Sequence, residues 1–217
     1  MDYQNYKTLS NINTLTYRNS FGKHNLNVLV GSSLNSRKIT RTFVRSIQIP
    51  KYAESQGINA MDEGTLSSTD DLIGSSEERI QSLLGRLTYA YDNKYLLTAS
   101  IRRDGSSKFG PGHNIGYFPS LALSWKAEEE EFIKNIGVIS QLKFKGGYGK
   151  TGNDRIPGDA RFDLFTSNLA SYFLNGSEVL GQRPTSSGAN PNIEWETTSQ
   201  YNAGVDLGLF DGRIAIT

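Results

Sequence analysis

The feature that most constrains this 217-residue chain is a repeated alternation of apolar and polar residues with a period of two. Positions 83, 87, 89 and 91 carry Leu or Tyr, whereas positions 82, 86, 88 and 90 carry Ser, Arg, Thr and Ala. The same alternation recurs at 95–102, 120–126, 141–148 and 200–209. Because successive side chains of a strand point to opposite faces, the pattern predicts strands with one apolar and one polar face.

Two turn sequences divide these strands into hairpins. Asp92, Asn93 and Lys94 separate two alternating segments, and Asp211-Gly212 follows the last long one. Asp-Gly is a strong hairpin signal. With a strand around 26–30 and a weaker one at about 9–18, the sequence predicts roughly eight strands. The 22 Gly and 11 Tyr, with only 2 Met, also favour β structure over a helical bundle.

The connections between the predicted strands alternate in length. Short ones lie at 19–24, 92–94 and 210–212, with a medium one at 127–140, whereas long ones lie at about 35–79, 104–116 and 150–195. Long and short connections therefore fall at opposite ends of the sheet. This layout is typical of an outer-membrane β-barrel with short periplasmic turns and long extracellular loops. A soluble β-sandwich also alternates, so loop asymmetry is what favours the barrel.

Aromatic residues lie near both ends of the predicted strands. Those near the short connections are Tyr91, Tyr95, Trp125 and Phe210, and those towards the long connections are Tyr117 and Tyr148. In a membrane barrel such residues form girdles at the two interfaces. No run approaches 18 apolar residues, so no α-helical membrane span is expected.

Several kinds of chemistry are disfavoured by the sequence. A formal net charge of +1 offers no field to attract nucleic acid, and the absence of Cys removes thiolate nucleophiles and Cys-based zinc sites. His24 and His113 lie in turns or loops and are interpreted as surface histidines. Residues 147–152 match G-x-G-x-x-G, but no helix is expected after them to hold a phosphate. We predict no catalytic residues, no metal site and no cofactor, and hence no enzyme.

The run of four Glu at 128–131 has two interpretations. Four consecutive carboxylates suggest a cation site, but they more often mark a solvated turn or the acidic first turn of a short helix. We favour the turn or short helix.

The longest connection carries the candidate binding residues. These are Arg161, Phe162, Tyr172, Arg183 and Trp195. Exposed aromatic rings pack on the C–H face of a sugar, and Arg donates to its hydroxyls, so the set is a candidate substrate-binding surface. The same rings could instead pack the loop against itself, and we favour that second interpretation.

Several sequence blocks, in order along the chain, resemble the barrel of SusC/RagA-type TonB-linked outer-membrane transporters. They are Leu-Thr-Tyr-Ala-Tyr at 87–91, Arg-Arg-Asp-Gly-Ser-Ser-Lys-Phe-Gly at 102–110, Gly-Tyr-Phe-Pro-Ser at 116–120, Gly-Lys-Thr-Gly-Asn at 149–153, and Asn-Pro-Asn-Ile-Glu-Trp-Glu at 190–196. They cover residues 79–217 densely. The resemblance implies an all-β fold, with about eight strands of a 22-stranded TonB-dependent receptor barrel and long extracellular loops.

The resemblance also implies a function and partners. Such a barrel, closed by an N-terminal plug, imports oligosaccharides or peptides across the Gram-negative outer membrane. A SusD-like surface lipoprotein captures the nutrient, and TonB, with ExbB and ExbD, acts on the plug. We expect residues 1–217 to be a single partial barrel domain without plug or signal peptide. The rival hypotheses are a small stand-alone β-barrel and a soluble all-β binding module.

A barrel also assigns the two faces of the strands. The apolar face would meet membrane lipid, and the polar face would line the lumen, where charge is tolerated because water or the plug solvates it. The residues predicted to face the lumen are Arg86, Arg102, Lys126, Lys143, Lys145 and Asp206.

Overall fold

The computed structural model describes residues 2–66, 72–184 and 188–217. Eight strands form one sheet: β1 (Asp2–Phe21), β2 (His24–Phe43), β5 (Leu72–Tyr91), β6 (Tyr95–Ser106), β7 (Ile115–Lys126), β8 (Ile139–Asn153), β11 (Glu196–Leu209) and β12 (Ile214–Ile216). Two further pairs lie in the long connections: β3 (Ser46–Ile47) with β4 (Thr65–Leu66), and β9 (Phe165–Leu174) with β10 (Ser177–Pro184). The predicted eight-stranded, all-β fold is confirmed.

The strands of the large sheet follow one another as a meander, in the order β1-β2-β5-β6-β7-β8-β11-β12. Among the described residues, β1 and β12 each have a single neighbour in this order. From β5 to β12, each pair of neighbouring strands in this order is antiparallel. An antiparallel meander needs only short connections at one end, and its long connections lie at the other.

Helical structure is confined to connections. A 3₁₀ segment spans Glu54–Glu63, another spans Ala127–Glu129, and the short helix α1 spans Glu131–Lys134. The run of four Glu therefore spans the end of the second 3₁₀ segment and the start of α1, with Glu130 extended between them, which agrees with the predicted turn or short helix. Among the described residues, no helix has the length and hydropathy that crossing a membrane requires.

Turn chemistry explains the short connections. Asp92 and Asn93 both have positive φ, 52° and 54°, as a two-residue turn of the primed type requires. Phe210, Asp211 and Gly212 also have positive φ between β11 and β12. Both predicted hairpins are confirmed.

The strands are longer than predicted at the end with the long connections. β2 continues to Phe43, and β5 begins at Leu72, although 35–79 was expected to be loop. All four residues from Asn35 to Lys38 are polar, so both faces of β2 are polar in this part of the strand. A strand whose two faces both meet water loses its alternation, so periodicity alone underestimates its length.

The chain divides into two compact units. One comprises the segment ending at Ser10 with Asn35–Arg79, and the other comprises Asn11–Leu34 with Ile80–Thr217. Within the first, Arg41 donates two hydrogen bonds to the Asp2 carboxylate, at 3.0 and 2.7 Å, and Ser36 donates to Glu77 at 2.8 Å. The second unit holds β6–β12, and with them the loop-end site described below.

The register assigns side chains to faces. Leu97 pairs with Tyr89 and Leu123, and Trp125 pairs with Tyr95 and Phe144. Since directly paired residues share a face, these side chains form one apolar face. The opposite face carries the neighbouring residues of each strand, which are mostly polar.

Candidate functional site

Three aromatic rings meet where β6, β7 and β11 reach the long connections. The Trp195 ring lies 5.1 Å from Phe109 and 5.3 Å from Phe118, centroid to centroid, the latter pair nearly edge to face. Phe109 and Phe118 are 2% and 8% exposed. Edge-to-face aromatic pairs are favourable beyond the area they bury. We call Phe109, Phe118 and Trp195 the loop anchor.

Two glycines make room for the loop anchor. A Cβ at Gly116 or at Gly152 would overlap the Phe118 ring. Neither residue has a positive φ, so the requirement for Gly is steric rather than conformational. The motif at 147–152 lies within β8, and its last Gly serves packing.

Hydrogen bonds tie the long connections to the anchor. Trp195 Nε1 donates to the Asn114 carbonyl at 3.2 Å, and Ser106 Oγ donates to Asp154 Oδ2 at 3.2 Å. Lys108 Nζ donates to the Asp154 carbonyl at 3.3 Å. The connection between β6 and β7 is therefore bonded to both ends of the connection between β8 and β11.

Arg161 and Phe162 lie together in the longest connection, as the binding-surface hypothesis requires. The Arg161 guanidinium carbon is 4.4 Å from the centroid of the Phe162 ring, a cation–π geometry. Arg161 Nη1 also donates to the Phe109 carbonyl at 3.3 Å. The Phe162 side chain is half exposed and its ring faces solvent beside the loop anchor, whereas Arg161 is half-buried.

Tyr172 and Arg183 lie on the β9–β10 hairpin within the same connection. Tyr172 pairs with Val179, and Arg183 pairs with Thr166, in the antiparallel register. Their side chains lie outside the described part of the structure. Whether they contact a ligand therefore stays a prediction.

Trp195 lies in the loop anchor, with its indole N–H and its ring both engaged by protein groups. Of the two interpretations of this residue, ligand binding and packing of the loop against itself, its contacts match the second. Phe109 and Phe118 were missed as partners because they are distant in sequence.

The six residues predicted to face the lumen share one face of the sheet. Arg86 pairs with Ser100, Ser100 with Ser120, and Ser120 with Gly149. Because directly paired residues share a face, these pairs define the polar face across four strands. Lys143 pairs with Lys126 and with Asp206. Lys145 Nζ lies 2.6 Å from Asp206 Oδ1, and Arg102 donates to Asp104 and Ser82. That this face lines a lumen stays a prediction.

An aromatic belt crosses the apolar face near the short connections. It consists of Phe21, His24, Tyr89, Tyr91, Tyr95, Trp125 and Phe144, with neighbouring ring centroids 5.0–6.4 Å apart. Three of the predicted girdle residues, Tyr91, Tyr95 and Trp125, are in it. His24 is half-buried and lies 2.6 Å from the Tyr89 hydroxyl. It was expected in a turn or loop, but it is the first residue of β2, and its ring centroid lies 5.0–6.0 Å from those of Phe21, Tyr89 and Tyr91.

Ion pairs stabilise the short connections. The Lys23 ammonium donates to Asp92 at 2.8 Å and holds the pKa of that carboxyl below its ordinary value. Glu130 accepts from the Tyr95 hydroxyl at 2.7 Å and from Lys94 at 3.0 Å, and these bonds lower the pKa of Glu130. Glu128 accepts from the Leu142 amide, and Glu129 pairs with Lys134. These carboxylates therefore hold the turn against the strand ends.

Within the described ranges, no group of three or more His, Asp or Glu side chains could hold a metal ion.

The geometry defines a class of protein. A meander of long antiparallel strands with one apolar face, one charged face and long connections at a single end is the wall of an outer-membrane-type β-barrel. The chain belongs to the TonB-dependent receptor-like β-barrel family, whose model matches residues 1–217. β-Barrels of this family are outer-membrane proteins, and the family is one of transporters and receptors rather than of enzymes.

Individual relatives agree with this assignment. The chain is 41% identical over 143 residues to TonB-dependent receptor SusC of Bacteroides thetaiotaomicron, covering 64% of this chain and 14% of that protein. It is 37% identical to TonB-dependent receptor P39 of Formosa agariphila, covering 95% and 19%. The RagAB peptide transporter has the same fold, with a TM-score of 0.73 at 24% identity over 99% of this chain and 23% of that one. The matches thus span between 14% and 23% of the length of these relatives.

Proposed function

We propose that this chain forms part of the barrel wall of a TonB-dependent importer that takes up oligosaccharides or peptides across the outer membrane. The observation that carries the proposal is the match of the whole chain to the receptor barrel family. Nutrient import is the function that SusC-like and RagA-like relatives suggest for it. Residues 1–217 act here as one partial barrel domain.

The exposed apolar face supports residence in a membrane. Ile101 and Leu123 are each 54% exposed, and Leu83, Tyr95 and Leu121 are 43–46% exposed. Contiguous exposed apolar surface of this extent is rare on soluble proteins, which disfavours a soluble binding module. A closed eight-stranded barrel would pair its first and last strands, whereas β1 and β12 each have one neighbour in the described sheet.

The partners follow from the family resemblance. A SusD-like lipoprotein would close over the end of the barrel that carries the long connections. TonB, with ExbB and ExbD, would act from the periplasm on a plug outside this chain. The loop anchor supports the first expectation, since it gives the long connections a defined arrangement for a partner to meet.

Among the candidate residues, Arg161 and Phe162 are the pair that the geometry favours for substrate contact. An exposed ring with a cation above it offers packing and hydrogen bonding together. Trp195 contributes by positioning the connection that carries them. Tyr172 and Arg183 stay candidates on the β9–β10 hairpin, and the six charged residues of the polar face are the proposed lumen lining.

The test is growth of a strain that lacks the full-length gene. We expect loss of growth on one member of a panel of oligosaccharides and oligopeptides, and normal growth on monosaccharides and free amino acids. Restoring the gene should restore growth, and Arg161→Ala with Phe162→Ala should weaken uptake without lowering the amount of protein in the outer membrane. Unchanged growth on every nutrient would contradict import of these substrates.

A further inference from the structure

A hollow of about 150 Å³ opens on the polar face of the sheet, where β1, β2, β5 and β6 lie side by side. Ser82, Leu84 and Arg102 line it from β5 and β6. Leu84 pairs directly with Arg102, and Ser82 pairs with Asp104, so these side chains share the face of Arg86. Alternate residues of β1 and β2 also line it, namely Ile12, Thr14, Gly31 and Ser33.

Arg102 is held in place at one wall of the hollow. Its Nε donates to both carboxylate oxygens of Asp104, at 2.7 and 2.8 Å, and its Nη2 donates to Ser82 Oγ at 3.2 Å. Asp104 and Ser82 are 7% and 5% exposed, whereas the Arg102 side chain is 52% exposed. Two buried groups therefore hold one edge of the guanidinium, and its Nη1 donors have no protein acceptor among the described residues.

The charge of this wall is balanced. Because the Asp104 carboxylate lies against Arg102, the pair carries no net charge, and it offers a ligand hydrogen bonds rather than an ion pair. The hydroxyls of Thr14 and Ser33 add donors and acceptors, and within the described ranges neither has a hydrogen-bond partner. The hollow therefore suits a neutral ligand that carries hydroxyl groups.

Apolar side chains form another part of the lining. Ile12 is 69% exposed, and Leu84 lies beside Arg102 on a face that is mostly polar. Apolar surface with a few fixed polar groups is the usual composition of a ligand pocket. A sugar ring matches it, since its C–H face packs on apolar side chains while its hydroxyls exchange hydrogen bonds. Pockets for drug-sized ligands measure about 300–1,000 Å³, so this smaller hollow takes one ring of a longer chain.

We infer that this hollow binds one neutral sugar ring of an oligosaccharide at the inner wall of the barrel, with Thr14, Ser33 and Arg102 as its hydrogen-bonding residues. The inference rests on the proposed function, because it requires the polar face to line the lumen. Of the two proposed kinds of cargo it selects the oligosaccharide. Two other occupants, an oligopeptide and a segment of the full-length polypeptide inside the barrel, are distinguished by experiment.

The experiment measures binding to the full-length protein in detergent by isothermal titration calorimetry. The probes are maltohexaose, cellohexaose, xylohexaose and mannohexaose, with hexaalanine as the peptide. Thr14→Val with Ser33→Ala removes two hydroxyls with little change in shape and should weaken binding of the preferred hexasaccharide roughly tenfold. Arg102→Lys keeps the charge but loses the planar fork of donors, and it should weaken binding as well.

The matched control is Thr88→Val with Thr98→Val, which removes two hydroxyls from the same face outside the hollow. This variant should bind the hexasaccharide as the wild type does. All variants are compared as the assembled, heat-modifiable barrel, so that a folding defect is not mistaken for a binding defect.

Access to the hollow is measured by maleimide labelling of Ser33→Cys, since this chain contains no Cys of its own. Bound hexasaccharide should slow labelling at position 33 several-fold, because the sugar ring covers it. Labelling of Thr98→Cys should be unchanged by the sugar. Absence of labelling at position 33 with and without sugar would show that a protein segment covers the hollow, and it overturns the site.

The outcomes separate this inference from the proposed function. Equal affinity of the wild type and the Thr14→Val, Ser33→Ala variant overturns the sugar site and leaves nutrient import standing. Binding of hexaalanine alone, or of no hexasaccharide, overturns the sugar assignment, and growth of the deletion strain tests import separately. Unchanged growth of that strain on every nutrient contradicts import itself.

Discussion

The ring of Phe118 occupies the space in which a side chain at Gly116 or Gly152 would lie. Gly116 is in β7 and Gly152 is in β8, and the Phe118 ring contacts both. A methyl group at either position must displace a ring that is already packed on Trp195.

Gly152→Ala is therefore expected to destabilise the folded barrel by about 1–3 kcal/mol, the usual cost of overpacking. The measurement is urea unfolding of the full-length protein in detergent or lipid, followed by tryptophan fluorescence. The matched control is Gly146→Ala on the same strand, where a Cβ would have no atom within 4 Å. Equal stability of the two variants would show that the Phe118 ring yields without cost.

Trp195 lies at the end of the long connection between β8 and β11 and packs this connection onto Phe109 and Phe118. Its ring packs on β6–β7 loop and strand residues, and its N–H is bonded to Asn114. Truncating it removes both interactions while leaving the β8–β11 ladder intact.

Trp195→Ala should release this connection and make residues 154–195 several-fold more sensitive to limited proteolysis, because cleavage follows local opening. The cleavage sites are identified by mass spectrometry of the digested outer-membrane protein. Phe162→Ala serves as the control, since that ring is half exposed and its loss should leave proteolysis unchanged. Faster cleavage in Phe162→Ala than in Trp195→Ala would contradict the anchoring role.

The turn between β7 and β8 is held by charge rather than by a hydrophobic core. Glu130 binds Tyr95 and Lys94, and its pKa is lowered by those hydrogen bonds. A carboxyl with a lowered pKa in the folded state stabilises that state above its unfolded pKa, and the stabilisation is lost as pH falls through the folded pKa.

Acidification from about pH 6 to about pH 3 should therefore destabilise the wild-type protein more than Glu130→Gln, which has no such carboxylate to protonate. Thermal unfolding across this pH range measures the difference. Glu131→Gln removes a neighbouring carboxylate that has no ion-pair partner among the described residues, and it should retain the wild-type pH dependence. The hypothesis fails if Glu130→Gln and the wild type lose stability in parallel.

The two faces of the sheet are expected to differ in whether they tolerate a charged side chain. Leu121 lies on the apolar face between Ala99 and Tyr148, whereas Ala122, its chain neighbour, lies on the polar face between Thr98 and Gly147. Only the first is expected to meet hydrocarbon.

Leu121→Lys should cost about 2–4 kcal/mol and reduce the assembled, heat-modifiable form in the outer membrane. Ala122→Lys should assemble at close to the wild-type level, because a lysine is solvated on the lumen side. Electrophoresis of unheated and heated outer membranes compares the two variants directly. The reverse order would invert the assignment of faces.

Much of this architecture follows from local rules. Alternation is a consequence of the strand period of two, and the positive φ of Asp92 and Asn93 is accessible to short polar residues, so strand existence, hairpins and loop asymmetry were predictable. Strand ends were not, because β2 and β5 continue where both faces meet water and alternation ceases.

Neighbours across strands were decided by tertiary structure alone. The loop anchor joins Phe109, Phe118 and Trp195, and the belt takes in His24, which local sequence had left on the surface. Each contact depends on strand register and on the path of a long connection. Neither is encoded within a short window, since both arise from the pairing of segments distant in sequence. Composition and period therefore specify which face a residue occupies, and the register specifies which residue it meets there.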